Sequence, residues 1–341
     1  MSTRAVHIAR RALVGVGATL ALLAGTALGA LAYLDHQLDD VDRIPGVFED
    51  LGPRPERART GTAAEAVNIL LLGTDRRSDV STTGKAAEGD AWVYGAQRSD
   101  AIMLVHIDGA REQVTITSLP RDSWVEVPGN GRAKINAAYS YGGPALAVRT
   151  VEQLTGIRID HLAVIDWDGF HDLIDAVGGI SVTVPETVHD SARDITWTAG
   201  VHRLDGDQAL DYVGQRYGLP GGDLDRVRRQ QAVLSTLAEQ TMELRDSPRT
   251  IVDFVDMVAD HLSVDDTWSS RQLASLAWSL RHVGGDDVRC VTAPVRALGW
   301  VGEQSVVWLD ETRGARLWRA IRSDRVGPWL AAHPPSDGAP P

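Results

Sequence analysis

The chain has 341 residues, 43% of them hydrophobic, and a formal net charge of −12. That length carries one large domain or two ordinary ones, and the acidic balance argues against a nucleic-acid partner. A single cysteine, Cys290, excludes an internal disulfide framework and a cysteine-based zinc cluster.

Residues 1–11 carry Arg4, Arg10 and Arg11, and residues 12–34 contain no charged side chain. As a helix the uncharged run is about 34 Å long, which suits a bilayer core. Asp35, Asp39, Asp40 and Asp42 follow it. The positive-inside rule then places the N-terminus in the cytoplasm and the rest of the chain outside the cell membrane. A signal peptide cleaved near Ala30-Leu31-Ala32 is the rival reading, but signal cores are usually about 7–15 residues. Residues 35–66, rich in Asp, Glu, Arg, Pro and Ala, read as a juxtamembrane spacer.

The apolar run Val67–Leu72 predicts a buried strand ending in Gly73-Thr74-Asp75-Arg76. Residues 76–97 form a long polar loop. Two β-rich runs, Ala101–Ile107 and Val114–Leu119, are joined by Asp108–Glu112 and predict a hairpin. A hairpin sets the start of its first strand beside the end of its second. Arg98 and Asp100 therefore meet Arg121 and Asp122 at one sheet edge, as a site or as solvated strand-end charges. Further on, a helix begins at Pro144, a strand spans 161–166, a helix 170–177 and a strand 180–184. Helices follow at 206–215, 223–243, 249–262 and 268–282, then strands at 288–295 and 304–309 and a helix at 311–322. Alternating strands and helices predict an α/β domain over 67–325 with helices covering the sheet, followed by a Pro-rich tail at 326–341.

Arg216, Arg226, Arg228 and Arg229 crowd together in this acidic chain. With Arg226 as zero on the helix from Asp223, Gln230 falls near 40° and Val233 and Leu237 near −20° and 20°. Arg226 and Gln230 thus share the stripe that turns apolar, while Arg228 points away. An anion at the helix N-terminus explains polar groups there, and arginine forks suit phosphate oxygens. An ion pair between Arg226 and Asp223 is the other explanation. No H-E-x-x-H, G-x-S-x-G, Walker or dinucleotide motif occurs. The histidines lack metal-ligand spacing, and Cys290 reads as a small buried hydrophobe. Hard carboxylates such as Asp75 and Asp100 suit Mg²⁺, and arginines beside that ion would hold a diphosphate. The residues alone therefore predict metal-assisted phosphoryl chemistry at the outer membrane face.

At this point the sequence resembles the LytR–CpsA–Psr cell-wall ligases. The resemblance rests on N-I-L-L-L-G-T-D-R at 68–76, R-S-D-A-I-M-L-V at 98–105 and S-L-P-R-D at 118–122. It continues through K-I-N-A-A-Y-S-Y-G-G at 134–143, L-T-G-I-R-I-D-H at 154–161, D-G-F at 168–170, L-D-G-D-Q-A-L at 204–210 and R-V-R-R-Q-Q at 226–231. It implies a three-layer α/β/α sandwich with a mixed central sheet and an apolar groove, preceded by one transmembrane helix. It also implies transfer of a glycopolymer from a polyprenyl-diphosphate carrier to a peptidoglycan hydroxyl. By matching position, Asp75 and Asp100 would bind Mg²⁺, and Arg98, Arg121, Arg216, Arg226, Arg229 and Gln230 would hold the diphosphate. Asp122 would orient Arg121 or take part in proton transfer. Arginine-rich composition suggests an actinobacterial envelope, with arabinogalactan as a possible acceptor chemistry. The chain departs from the family pattern at Gly214, where an arginine is usual, and at Asp225, where a glycine is usual. Two alternatives stay open: a polyprenyl-diphosphate phosphatase, and a non-catalytic lipid-binding or regulatory envelope protein, which Gly214 makes plausible.

Overall fold

The structure is a computed structural model that describes residues 41–75, 82–84, 87, 91–215, 217–243 and 260–332. The predicted anchor at 12–34, Arg216, most of the helix expected at 249–262 and residues 333–341 lie outside the described residues. Among the described residues, no helix is long and apolar enough to cross a membrane.

The centre is a seven-stranded mixed sheet. In chain order its strands are β1 (Asp42–Ile44), β2 (Val67–Asp75), β3 (Arg98–Ile107), β4 (Val114–Ser118), β7 (His161–Ile165), β12 (Leu262–Asp265) and β13 (Val288–Thr292). They lie side by side as β1-β12-β7-β2-β3-β4-β13. The period of two in β2 explains why the sheet needs cover on both faces. Leu70 and Leu72 point to one side, where they meet Leu104, Leu162 and Val164. Helix α2 (Ala137–Thr155) covers that side with Ala147, Val148 and Val151, and α7 (Glu311–Arg322) adds Leu317 and Ile321. Each fully buried leucine there contributes about 1.5–3 kcal/mol. Ile69 and Leu71 point to the other side, against Trp268 and against Leu273 and Leu276 of α6 (Ser270–Ser279).

A third cluster joins α3 (Trp167–Ala176), β8 (Ile180–Val184), α4 (Gly206–Gly214) and α5 (Asp223–Glu243) through Leu173, Ile180, Ala209, Val233 and Leu237. Helix α5 also reaches the sheet, where Leu234 packs near Ile116 and Cys290. Cys290 is buried, as a small core hydrophobe should be.

Several local expectations shift. Residues 42–66, expected as a spacer, place β1 in the sheet and the short α1 (Thr62–Glu65) before β2. The expected tail begins with helix α8 (Val326–Ala332), whose Val326 enters the core. The hairpin of β5 (Trp124–Val127) and β6 (Gly131–Lys134) and the small strands β9 (Val188–Asp190), β10 (Ile195–Trp197) and β11 (Gly200–Leu204) were not anticipated. They are short and pair outside the main sheet, so their apolar runs are brief. The apolar pattern at 288–309 divides into β13 and a separate hairpin of β14 (Val295–Val301) and β15 (Gln304–Leu309). Helix α2 starts before Pro144 but breaks at Gly142 and Gly143. At Gly143, with φ of +63°, a Cβ would fall 2.7 Å from the Trp92 ring.

Candidate active site

The register of the β3–β4 ladder builds the site. Met103 pairs with Ser118, and the Leu119 amide donates to the Ile102 carbonyl at 2.8 Å. Continued outward, that register sets Asp100 opposite Arg121, and a hydrogen-bonded ion pair joins the two side chains. On the other edge of β3, Asp75 is the backbone partner of Arg98. The Asp75 side chain lies outside the description. Arg98 is exposed and makes no ion pair among the described residues.

Beyond Arg121 the chain turns into β5 and returns along β6. Trp124 pairs with Lys134, and this brings the Lys134 ammonium to 2.9 Å from an Asp122 carboxylate oxygen. The second Asp122 oxygen is 3.9 Å from Arg121 Nε. The Asn136 amide donates to the Arg121 carbonyl at 3.2 Å, tying the start of α2 to the same corner.

Helix α5 delivers the remaining groups. Its Gln231 side chain is buried and donates from Nε2 to Ser118 Oγ at 3.0 Å, the Val291 carbonyl at 2.9 Å and Thr292 Oγ1 at 3.2 Å. These bonds pin α5 to the outer ends of β4 and β13. The first turn, five residues earlier, then projects about 7.5 Å further along the axis. There Asp223 pairs with Arg226 and sits 3.5 Å from Arg121 Nε. Arg226 thus has the acid partner of the second explanation, and that partner joins it to Arg121.

The corner collects Asp100, Asp122 and Asp223 against Arg121, Arg226 and Lys134, all largely buried. Burial opposes the charge on Arg121, but Asp100, Asp122 and Asp223 outweigh it and hold its pKa above the ordinary value. Burial pushes the Asp223 carboxyl above the usual range; Arg226 and Arg121 oppose this, and Asp122 and Asp100 reinforce it. Burial likewise pulls Arg226 down, against Asp223. Three buried atoms here have no hydrogen-bond partner among the described residues: Arg121 Nε, Arg226 Nε and Asp223 Oδ2. Native proteins rarely leave such groups unpaired. Two guanidinium N–H donors in one cluster suit the oxygens of a diphosphate.

The other predicted residues fall elsewhere. Arg229 is buried, but it donates to the Tyr212 carbonyl at 3.1 Å and to Gln215 Oε1 at 2.5 Å, and it stacks 4.2 Å from the Tyr212 ring. It braces α4 against α5 among these contacts. Gln230 is half-buried and has no hydrogen bond among the described residues. Lys134 and Asp223 join the cluster although neither was singled out as a site residue. The S-L-P-R-D and K-I-N motifs already held the signal for Lys134, because both flank the β5–β6 turn. For the expected Mg²⁺, no group of three acids or histidines among the described residues is close enough to form a cage. Mg²⁺ usually takes one or two carboxylates, waters and substrate phosphate, a lesser requirement that Asp100 on β3 and Asp75, paired through its backbone with Arg98, fit by residue type.

Gly214 ends α4 in a filled space. A Cβ there would lie 2.9 Å from Arg193 Nη2 and 3.2 Å from the Trp167 ring. Arg193 is held by Asp190 at 3.0 Å and Asp211 at 2.9 Å. A cation therefore already stands where a side chain at 214 would begin. A separate cavity of about 620 Å³ lies at the opposite end of the strands, lined by Val67, Arg57, Arg111, Arg158 and His161. Its Arg57 is paired with Asp160 at 3.3 Å, and Arg111 donates to two backbone carbonyls.

Comparison with known proteins identifies the family and the fold. The family model described as LytR_cpsA_psr matches residues 49–323. The chain is 33% identical over 318 residues to the probable cell wall biosynthesis protein LcpB of Corynebacterium glutamicum, covering 87% of this chain and 71% of LcpB. It is 30% identical over 285 residues to LcpA of the same organism, covering 73% of this chain and 54% of LcpA. It is 35% identical over 202 residues to the polyisoprenyl-teichoic acid–peptidoglycan teichoic acid transferase TagU of Enterococcus faecalis, covering 59% of this chain and 62% of TagU. Among solved structures, a LytR-Csp2A-Psr enzyme from Actinomyces oris superposes with a TM-score of 0.60 at 26% identity, covering 79% of this chain and 97% of that one.

Proposed function

Because the chain belongs to the LytR–CpsA–Psr family, its match covering residues 49–323, we propose that it is a cell-envelope transferase. It moves a glycopolymer from a polyprenyl-diphosphate carrier to a peptidoglycan hydroxyl and leaves a phosphodiester link. The names of LcpB and TagU support a cell-wall transferase of this kind. The observation that carries the chemistry is the set of buried atoms on Arg121, Arg226 and Asp223 that lack a hydrogen-bond partner among the described residues.

In this reading Arg121 and Arg226 turn their free Nε–H groups to the diphosphate. They stabilise the charge that grows on the leaving polyprenyl phosphate, where fixed donors in a dry site act most strongly. The acceptor oxygen forms a bond to the glycan-side phosphorus, and the bond from that phosphorus to the bridging oxygen breaks. Asp223, with an unused oxygen and a raised pKa, takes the hydroxyl proton. Asp122, held by Lys134, keeps Arg121 in place instead of accepting the proton. Asp100, with Asp75 placed beside Arg98 by the strand register, would hold Mg²⁺, which neutralises phosphate charge when bound. The single-pass anchor at 12–34, with the domain outside the cell membrane, brings the site to its lipid-borne donor.

A labelled polyprenyl-diphosphate glycan incubated with peptidoglycan tests the proposal. Transfer yields a wall-linked phosphodiester, whereas free phosphorylated glycan would mark the enzyme as a phosphatase. Arg121→Ala should lower the rate at least about tenfold, since one charged hydrogen bond is worth about 1.5–3 kcal/mol. An unchanged rate would remove Arg121 from the chemistry.

A further inference from the structure

The anchor proposed above and the register of the sheet together orient the domain. Strand β1 runs parallel to β12, with Asp42 beside Ser263 and Ile44 beside Asp265. Ser263 lies beside Val164, and Val164 beside Leu72. Asp42 is thus level with Leu72, and β1 runs away from the end of β2 that carries Gly73 to Asp75. The chain preceding Asp42 therefore enters from the pole that holds the candidate site. Only residues 35–41 separate Asp42 from the uncharged run ending at Leu34. Eight Cα steps span about 29 Å at most. An anchored domain cannot turn this pole far from the bilayer.

The same pole exposes its apolar side chains. Val93 and Tyr94 lie in the segment leading to Arg98, and Tyr141 lies in the first turns of α2. Tyr94 is 73% exposed and Trp300 71%. On the far side of the mouth, the Val307 amide donates to the Asp122 carbonyl at 2.9 Å. Leu298 and Trp300 pair with Val307 and Ser305, so they stand two strands out from Asp122. The opposite pole shows Arg57, Arg111, Glu112 and Arg158, and one exposed aromatic, Trp278, on the helix α6 that lines the cavity there. Exposed tyrosine and tryptophan beside an anchored pole match the amphipathic rings that settle at a lipid headgroup layer.

We propose that this pole docks on the outer face of the membrane, with Tyr94 and Trp300 seated among the headgroups on either side of the catalytic mouth. The inference rests on the membrane-anchor reading. Docked in this way, the mouth meets the carrier's diphosphate at the depth where that group resides, and little of the lipid tail must leave the bilayer.

The test uses the full chain reconstituted in phosphatidylglycerol–phosphatidylethanolamine vesicles, with Cys290→Ser to remove the one native thiol. Single cysteines from Tyr94→Cys, Trp300→Cys and, at the opposite pole, Glu112→Cys carry an environment-sensitive fluorophore. At 94 and 300 the emission should shift to the blue and be quenched by spin-labelled lipids; at 112 it should do neither. Alkaline extraction is run on the same vesicles. If the wash releases the chain, the anchor fails and the docking proposal falls with it. If the chain is retained while positions 94 and 300 report water, the docking is overturned and the anchor stands. As a second readout, Tyr94→Ser with Trp300→Ser should raise KM for the lipid-borne donor about tenfold while leaving kcat for a short-chain soluble donor unchanged. Equal KM values would also overturn it.

Discussion

Arg121 touches or approaches three carboxylates, yet its buried Nε–H, 3.5 Å from Asp223 and 3.9 Å from Asp122, makes no hydrogen bond among the described residues. A side chain held so firmly by acids, yet with one buried donor idle, is set for an anion that joins it later. Asp223 shows the same tension from the other sign, because burial raises its pKa. A raised carboxylate pKa means the folded state holds a proton more tightly than the unfolded chain does. Stability from this group is therefore present at low pH and declines as pH rises through the shifted range. Asp223→Asn takes from buried Arg226 its acid partner, so it should lower the melting temperature of the ligand-free protein and lower transfer about 10²–10⁴-fold, the usual range for losing a general base. The acid limb of the pH–rate profile should lie above the ordinary carboxylate range in the native protein and vanish in this variant. A limb that survives unchanged would assign the proton to another group. Gly214 carries a second prediction at this scale. Gly214→Arg drives a Cβ against Arg193 and Trp167, so denaturant unfolding should show a loss of about 1–3 kcal/mol, the usual cost of overpacking. A variant as stable as the native chain would mean that Arg193 moves aside freely.

Helix α5 is the element on which the site depends, and it shows where sequence periodicity reached its limit. The bounds 223–243 and the inward turn of Arg226 were legible, because the apolar stripe at Val233 and Leu237 continues through that position. The structural part played by Gln231 was not. A single stripe assumes one buried face, but α5 is wedged between β8 and the sheet, with Thr236 bonding the Ser181 carbonyl and Ser235 facing Cys290. Two neighbours widen the buried arc until Gln231, about 140° from Arg226, lies inside it. The hairpin carrying Arg98, Asp100, Arg121 and Asp122 was easier to read, since a fixed register needs only two apolar runs and a turn. Gln231→Leu removes all three bonds to β4 and β13 and leaves Ser118 and the Val291 carbonyl without that donor. Unfolding stability should fall by about 1–3 kcal/mol. Transfer should fall as well, with kcat affected more than KM, because the first turn of α5 loses its fixed distance from Arg121.

At the scale of the whole molecule, the α/β class was legible from alternating patterns, while the strand order was not. Strands β1 and β12 hold three and four residues, too few to show a period, yet they form one edge of the sheet and set the direction in which the N-terminal chain leaves. Long-range closure is similarly silent in sequence. Asp324, after α7, meets the β2–β3 pair through His106, whose ring nitrogens lie 2.8 Å from Asn68 Oδ1 and 3.1 Å from Asp324 Oδ1. His106 is 2% exposed, and burial lowers its pKa below the ordinary 6.5 although Asp324 opposes the shift. The unfolded chain then binds a proton more readily than the folded one, so stability is fully present above about pH 6.5 and is lost as pH falls toward the depressed folded value. His171 acts in the opposite direction, raised by Asp172, but it sits near the surface where solvent screens the effect. The melting temperature should thus decline as the buffer is taken from about pH 7 to 5, and His106→Gln should flatten much of that decline. An undiminished slope in His106→Gln would show that the joint between α7 and the sheet is not the pH-sensitive part of the fold.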